Sequence, residues 1–553
     1  MESSSSQSDL NEVLNFSAGI EVRKNQFIMS RSAKAAKGFA ASIVQFCTQI
    51  LVQILLAPIV LKFAGRETLG AYAAIMQTLG FLMLVDIAGS WSLERFLAQA
   101  SGLEDHGERF RNIFTTARTM LLVTYSAFGS LVLIFSFFVG HLFHLSPAIA
   151  TEARHALYVI AVWAVVRTPL VAYSAASTAM QDIAATNLIG AFAGVLRTVA
   201  SLAFVLAGTG LFGLMLSGTV AEGIGFLLYR SRFRKMNPGF RPAWGVPDKA
   251  LLREMIGFGG HTAFLNAGNM LFFTSGNMLA GLTNGAAAAS SFYTTQMPTT
   301  TVYNMIYRMT EAASPAINEL YGRKEFEKVR DVFVRLCRLL LLFNLPLAVC
   351  VLIFNRDLVV TWVGAGQYAG TLLTASLAAF CVVNAIQKLV ILFAFIFGWM
   401  RLLSMTAFIQ GIANFGLAFY LGKHLGLGGI TLALVIVLLP QLVILIRKID
   451  RELSLNIVAV LASSAIRSVV PLAAAAALGM LVQAHVVIAR RHFVGLLAEL
   501  GTFAAVYGVL AWFLVMKDQD RNDARRFANG ALSRFRRRST RISEPAAADG
   551  SAS

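Results

Sequence analysis

The sequence predicts an all-α integral membrane protein with about fourteen transmembrane helices, in two pseudo-symmetric six-helix lobes followed by a C-terminal helix pair, and three observations predict it. Of its residues 57% are hydrophobic and only 14% are charged, where a soluble domain carries about a quarter charged residues. Continuously apolar runs of about 20 residues recur along the chain, each long enough to cross roughly 30 Å of hydrocarbon as a helix. Barrel strands would alternate over about ten residues and leave a different pattern. The third observation is an echo: "ERFRNIF" at Glu108 to Phe114 returns as "EKVRDVF" at Glu327 to Phe333.

The elements follow in order. Residues 1–36 mix charges with isolated hydrophobics and read as a cytoplasmic amphipathic segment, not as a signal peptide, because no cleavage pattern follows a short apolar core. Spans 1 to 6 are centred near residues 49, 80, 130, 166, 196 and 220 and make an N-lobe over 37–230. A cytoplasmic connection over 231–252 leads to a C-lobe over 253–447, whose spans 7 to 12 are centred near 268, 300, 344, 384, 411 and 436. Spans 13 and 14, near 472 and 505, fill 448–516, and 517–553 is a basic cytoplasmic tail. The tail interleaves arginines with Phe527, Leu532 and Phe535, which suits a membrane surface.

Orientation comes from the basic residues. The richest clusters, "YRSRFRKM" at the end of span 6, "YGRKEFEKVRDVFVRLCR" before span 9 and "SRFRRRSTR" in the tail, all fall on one side if the amino terminus is cytoplasmic. The positive-inside rule then places both termini in the cytoplasm. A net charge of +18 spread over the inner ends of many spans suits anionic inner-leaflet lipid. No aromatic-interleaved nucleic-acid module accompanies it, so no nucleic-acid partner is expected.

The two copies of the echo precede spans 3 and 9, six spans apart. A second landmark agrees: "GLFG" at Gly210 to Gly213, between spans 5 and 6, is matched by "GLGG" at Gly426 to Gly429, between spans 11 and 12. An even-numbered repeat enters twice from the same side, as in transporters built from parallel repeats with the substrate site between them. Gly208, Gly210 and Gly213 also spell G-x-G-x-x-G, but without the strand that a dinucleotide site requires. Cys47, Cys337, Cys350 and Cys381 lie in or at spans without metal-ligand spacing and read as packing residues. "HLFH" at His141 to His144 reads as an interfacial loop, and no cofactor or metal is expected.

Ionisable groups inside spans are costly and face a cavity or a partner. Arg167 and Arg197 fall near the middle of spans 4 and 5, Arg308 in the inner third of span 8 and Lys388 in the inner half of span 10. Against them stand Asp86, Glu222 and, near a boundary, Glu311, as charge partners or coupling groups. The excess is positive, which suits an anionic cargo and not an organic cation, although pairing of Arg167 or Arg197 with Glu222 would be purely structural. On span 8, Gln296, Thr300, Asn304, Arg308 and Glu311 form one stripe at helical spacing, and Thr262, Asn266 and Asn269 form a shorter one on span 7. Such stripes must face protein or water. His261 reads as a hydrogen-bonded packing residue. Pro169, Pro298 and Pro346 permit bends in spans 4, 8 and 9.

The stretches "LVQILLAPIVLKFAGRETLGAYAAIMQTLGFLMLVDIAGSWSLERFLA" (51–98), "SPAINELYGRKEFEKVRDVFVRLCRLLLLFNLPLAVCVLIFNRDLVVTWVGAGQYAG" (314–370) and "HLGLGGITLAL" (424–434) resemble polysaccharide exporters of the MOP superfamily, over about residues 35–515. These are the Wzx-like flippases of lipid-linked oligosaccharides, related to lipid II flippases and MATE exporters. The resemblance implies a V-shaped pair of lobes in a bacterial inner membrane. It implies alternating access for an undecaprenyl-diphosphate-linked repeat unit of O-antigen, exopolysaccharide or capsule, with membrane lipids and a polysaccharide polymerase as partners. Related exporters often carry an aspartate where "SGNMLAG" has Asn277, which speaks against carboxylate-based coupling there. A MATE-like multidrug or cation antiporter and a lipid II flippase are the alternatives. An enzyme is not expected, because no large outer loop, carboxylate pair or nucleophile set is present.

Overall fold

A computed structural model describes residues 54–101, 108–180, 182–237, 240, 245, 247–311, 313–485, 493–518, 520–522 and 525. Every regular element among them is helical. The amphipathic segment 1–36, Cys47 and the tail beyond Arg525 lie outside the described residues, as do the side chains of His261, Thr262, Asn266, Arg308 and Glu311.

The end of span 1 is α1 (Ile54–Phe63). Span 2 is not one helix: α2 (Gly65–Leu82) tightens into a 3-10 turn at Met83–Asp86 and resumes as α3 (Ile87–Ser101). Span 3 is α4 (Glu108–Leu142). Span 4 divides at Arg167 into α5 (Pro147–Val166) and α6 (Thr168–Ala179), with Pro169 in the first turn of the second piece, where a missing N–H costs nothing. Spans 5 and 6 are α7 (Ile183–Leu206) and α8 (Gly210–Met236). Span 7 divides into α9 (Lys249–Phe273) and α10 (Gly276–Asn284). The Asp248 carboxylate caps α9 by accepting from the amides of Ala250 and Leu251 at 2.8 and 3.3 Å. Span 8 is α11 (Ala286–Glu311), α12 (Ser314–Gly322) follows it, and α13 (Phe326–Val363) is span 9. Pro298 and Pro346 sit inside continuous helices. The remaining spans are α14 (Thr371–Ile396), α15 (Met400–His424), α16 (Leu427–Leu453), α17 (Ile457–His485) and α18 (Phe493–Leu514).

Nine helices among the described residues are long and apolar enough to cross a membrane: α4, α5, α7, α8, α13, α14, α15, α16 and α17. The pieces of spans 2, 7 and 8 fall outside that group because they are interrupted or carry polar faces, while the described parts of spans 1 and 14 are short apolar helices. Large apolar side chains such as Phe137, Val162, Ile409, Ile466 and Phe513 point outward. A soluble monomer rarely exposes so much apolar surface, whereas lipid covers it at no cost. The chain is a multi-pass membrane protein.

The chain forms two compact units. The first comprises residues through Met297 together with Trp362–Leu373 and Met400–Val437. It holds an aromatic cluster in which Phe114 of α4 meets Tyr173 of α6 and Phe240 at 5.3 Å between ring centres, and Phe233 of α8 meets Phe240 at the same distance. Here the first copy of the echo spends its apolar residues: Phe110, Ile113 and Phe114 are buried while Arg109, Arg111 and Asn112 face out. Deeper in the same unit α9 crosses α15, with glycines at the crossing. A Cβ on Gly268 would lie 2.6 Å from the Ala407 carbonyl, and one on Gly411 would lie 2.7 Å from the Gly268 oxygen.

The second unit comprises Pro298–Thr361, Thr374–Trp399 and the residues from Leu438 onward. The second copy of the echo behaves like the first: Val329 and Phe333 are buried while Glu327, Lys328, Arg330 and Asp331 face out. Phe333 stands edge-on to Phe393 of α14 at 4.7 Å. The C-terminal pair docks on α13, with Phe354 edge-on to Phe503 at 5.9 Å and the Tyr507 hydroxyl donating to the Leu342 carbonyl at 2.9 Å. Past α18, Asp520 is buried between Arg335 and Arg338 at 3.1 and 3.5 Å.

Candidate functional site: polar groups within the spans

The interruptions of spans 2 and 4 bring charge together. Arg167, at the joint between α5 and α6, donates to the Glu222 carboxylate of α8, and the Trp163 indole donates to the other oxygen of Glu222 at 2.9 Å. The guanidinium lies 4.6 Å from the centre of the Tyr125 ring, and the Tyr125 hydroxyl donates to Asp86 at 2.8 Å. Asp86, Tyr125, Arg167, Glu222 and Trp163 thus form a chain through the first unit, two anions and one cation joined by aromatic side chains. Breaking a helix at Arg167 turns its side chain inward while the rest of span 4 keeps its apolar face.

Arg197 on α7 is held differently. It donates to the Tyr72 hydroxyl of α2, crosses over Gly218 of α8, and makes no ion pair among the described residues. Tyr72, then Tyr293 and Glu222, act on it electrostatically. Of the two arginines that compete for one carboxylate, Arg167 takes it and Arg197 keeps donors to spare, since a guanidinium carries five N–H groups.

On the neighbouring elements lies the start of the polar stripe of span 8. The Gln296 amide donates to the Asn277 side chain of α10 at 2.9 Å, and the Met278 backbone N–H donates to Gln77 of α2 at 3.0 Å. Asn269 is half-buried on α9. The stripe then crosses into the second unit, where Thr300 is half-buried and Asn304 is exposed. Lys388 is half-buried on α14 in that unit, one position after Gln387, whose amide donates to Gln441 of α16. The structure therefore brings Arg167, Glu222 and Asp86 into one chain and Arg197 beside it, pairs Gln296 with Asn277, and describes Thr300, Asn304 and Lys388 in the other unit.

Several residues of these networks escaped the sequence. Tyr72, Gln77, Tyr125 and Trp163 are partners from helices whose rotation no periodicity fixes. A hydroxyl patch, "SSFYTT" at Ser290 to Thr295, is visible as a polar break in an apolar span, yet its partner Gln367 lies in a loop far along the chain. Cys337 and Cys381 are buried free thiols, Cys350 is half-buried and free, and no metal-binding cluster occurs among the described residues.

Comparison with known proteins agrees with this architecture. The MatE family model matches residues 41–203. No curated protein matches the chain. Among solved structures, the chain is similar to the lipid II flippase MurJ in an inward closed conformation, with 12% identity, a TM-score of 0.62 and coverage of 86% of this chain and 98% of that one. It is similar to an inward-facing multidrug resistance MATE family transporter of the MOP superfamily, with 13% identity, a TM-score of 0.59 and coverage of 75% and 98%. It is also similar to a MOP superfamily transporter from Pyrococcus furiosus, described as having a binding pocket of reverse polarity, with 14% identity, a TM-score of 0.52 and coverage of 76% and 95%. At these identities the likeness is one of fold: the chain has the multi-helix membrane architecture of MOP-superfamily structures.

Proposed function

We propose that this protein is a flippase that exports undecaprenyl-diphosphate-linked oligosaccharide repeat units across a bacterial cytoplasmic membrane by alternating access of two lobes, 37–230 and 253–447. The observation that carries the reading is Arg197, a guanidinium within a membrane span that is hydrogen-bonded to a tyrosine and makes no ion pair with a carboxylate among the described residues. An unmatched cation in low dielectric attracts an anion, and the planar fork of arginine matches two oxygens of a phosphate. Arg308 and Lys388 are further cations within spans that would suit an anionic cargo, and the amides and hydroxyls of Gln296, Thr300, Asn304, Asn266 and Asn269 suit sugar hydroxyls. A similarity that covers more of this chain for a lipid II flippase than for a MATE transporter, 86% against 75%, supports a lipid-linked substrate. The partners are the polyprenyl-diphosphate glycan, membrane lipids and a polymerase that consumes the delivered units.

A MATE-like antiporter is the second reading, favoured by the family model over residues 41–203. An unpaired cation repels the organic cations that such an antiporter would carry. The deciding experiment measures lipid-linked repeat units on the inner leaflet of a deletion strain. Accumulation that the intact gene reverses and an Arg197→Gln gene does not is the expected result. Normal export by the Arg197→Gln protein overturns the assignment of Arg197.

A further inference from the structure

The turn between α13 and α14 is bonded into α11 more thoroughly than a connection needs to be. Gln367 is 3% exposed. Its side-chain oxygen accepts from the hydroxyls of Ser290 and Ser291 at 3.1 and 3.5 Å, and its backbone oxygen accepts from Thr294 and Thr295 at 3.3 and 3.2 Å. Thr295 in turn accepts from the Ala369 N–H at 3.0 Å. Positions 290, 291, 294 and 295 share one helix face, so one glutamine fills a four-hydroxyl notch. Arg66, in the first turn of α2, donates to Ser291 at 2.9 Å, and Gly366 packs on the same guanidinium. Close by, a side chain at Gly70 of α2 would collide with the backbone of Ala286 and Ser290. The starts of α2 and α11 and this turn are thus joined at a single point.

Two features make that point separable. Gly364 and Gly370 bracket the turn at φ of +96° and +99°, a conformation open to glycine, the residue whose backbone is least restricted. Residues 362–373 belong to the first unit, whereas α13 up to Thr361 and α14 from Thr374 belong to the second. The hydrogen bonds that Gln367 accepts are neutral and individually weak, which suits a contact made and broken in every cycle.

We propose that Gln367 is the pin of a latch at the outer ends of α2 and α11, and that withdrawing it from the Ser290–Thr295 notch is required before the protein opens on that face. This rests on the reading of the chain as a transporter that opens to both faces. Gln367→Ala removes the side-chain acceptor, and Gln367→Leu replaces it with an apolar group of similar size.

The test uses the full-length protein in vesicles of mixed orientation, with an impermeant maleimide on both faces. The reporter is Ser290→Cys, directly under the pin, with the native buried Cys381 as an internal control and labelling read peptide by peptide. With Gln367 present the reporter is protected. Both Gln367→Ala and Gln367→Leu are expected to speed its labelling about tenfold, equivalent to ~1.4 kcal/mol, while Cys381 stays protected. Unchanged protection in the two variants, protection by leucine equal to that by glutamine, or a rise shared by Cys381 overturns the latch. No substrate enters the measurement, so its failure is distinct from a failure of the lipid-linked glycan reading, which the deletion strain decides.

Discussion

Removing the Arg167 guanidinium leaves the Glu222 carboxylate inside the membrane with the Trp163 indole as its remaining side-chain donor among the described residues. A charge stranded in this way costs several kcal/mol when fully buried. The Glu222 side chain is 35% exposed, so Arg167→Gln is expected to destabilise the protein by about 2 kcal/mol and to lower its abundance in the membrane. Arg167→Gln combined with Glu222→Gln removes both charges and recovers most of that loss. Arg197→Gln strands no carboxylate among the described residues, so abundance is expected to stay normal while export falls; Arg197→Lys keeps the charge, loses the fork and is expected to retain part of the activity. Thermal unfolding in detergent and export in cells, measured on the same variants, separate the two arginines. A normal Tm for Arg167→Gln would refute the structural role. The sequence placed both arginines and Glu222 within spans, since depth is a matter of counting along a helix. Which arginine pairs with Glu222 depends on how α5, α7 and α8 rotate about their axes, and on a helix break at Arg167 that Pro169 hinted at without locating.

Helices α9 and α15 approach closely because glycine stands where any side chain would strike backbone. Lipid tails are as apolar as leucine, so close backbone approach and dispersion are what hold such a crossing together. Gly411→Ala places a methyl 2.7 Å from the Gly268 oxygen and 2.9 Å from the Leu271 Cβ, and is expected to destabilise by about 1–3 kcal/mol through overpacking. Gly416, on the same helix, has nothing within 4 Å of a Cβ. Gly416→Ala should be neutral or stabilising by about 0.5–1 kcal/mol, because alanine loses less freedom in a helix. Equal Tm values for the two variants would remove the crossing from the account. Apolar length alone identified the spans, and that is why spans 2, 4 and 7 were read as single helices: a 3-10 turn or a joint at Thr274 and Ser275 is a backbone event inside an unbroken apolar run. Pro298 and Pro346 lie inside continuous helices, since a proline can bend a helix without ending it when neighbouring groups take up the freed carbonyl.

At the scale of the whole molecule the repeated heptad acquires a physical meaning. Phe110 and Val329, and likewise Phe114 and Phe333, are equivalent positions of the two copies and all four are buried, while the charged residues between them face out. Each copy opens one of the long helices α4 and α13, burying an apolar edge and offering basic residues to what lies outside. If basic residues at a helix entrance mark the cytoplasmic face, the span count expected from the sequence has both copies enter from that face. The orientation is therefore tied to the repeat and is tested with it. Single cysteines at Ala365, exposed in the turn after α13, and at Gly426, between α15 and α16, are expected to react with an impermeant thiol reagent applied to intact cells. A cysteine at Gly322, exposed at the end of α12 just before the second heptad, is expected to react only after the membrane is opened. Labelling of Gly322 in intact cells would overturn the expected topology, because it would put the basic cluster before α13 on the outside, against the charge rule from which the orientation is read.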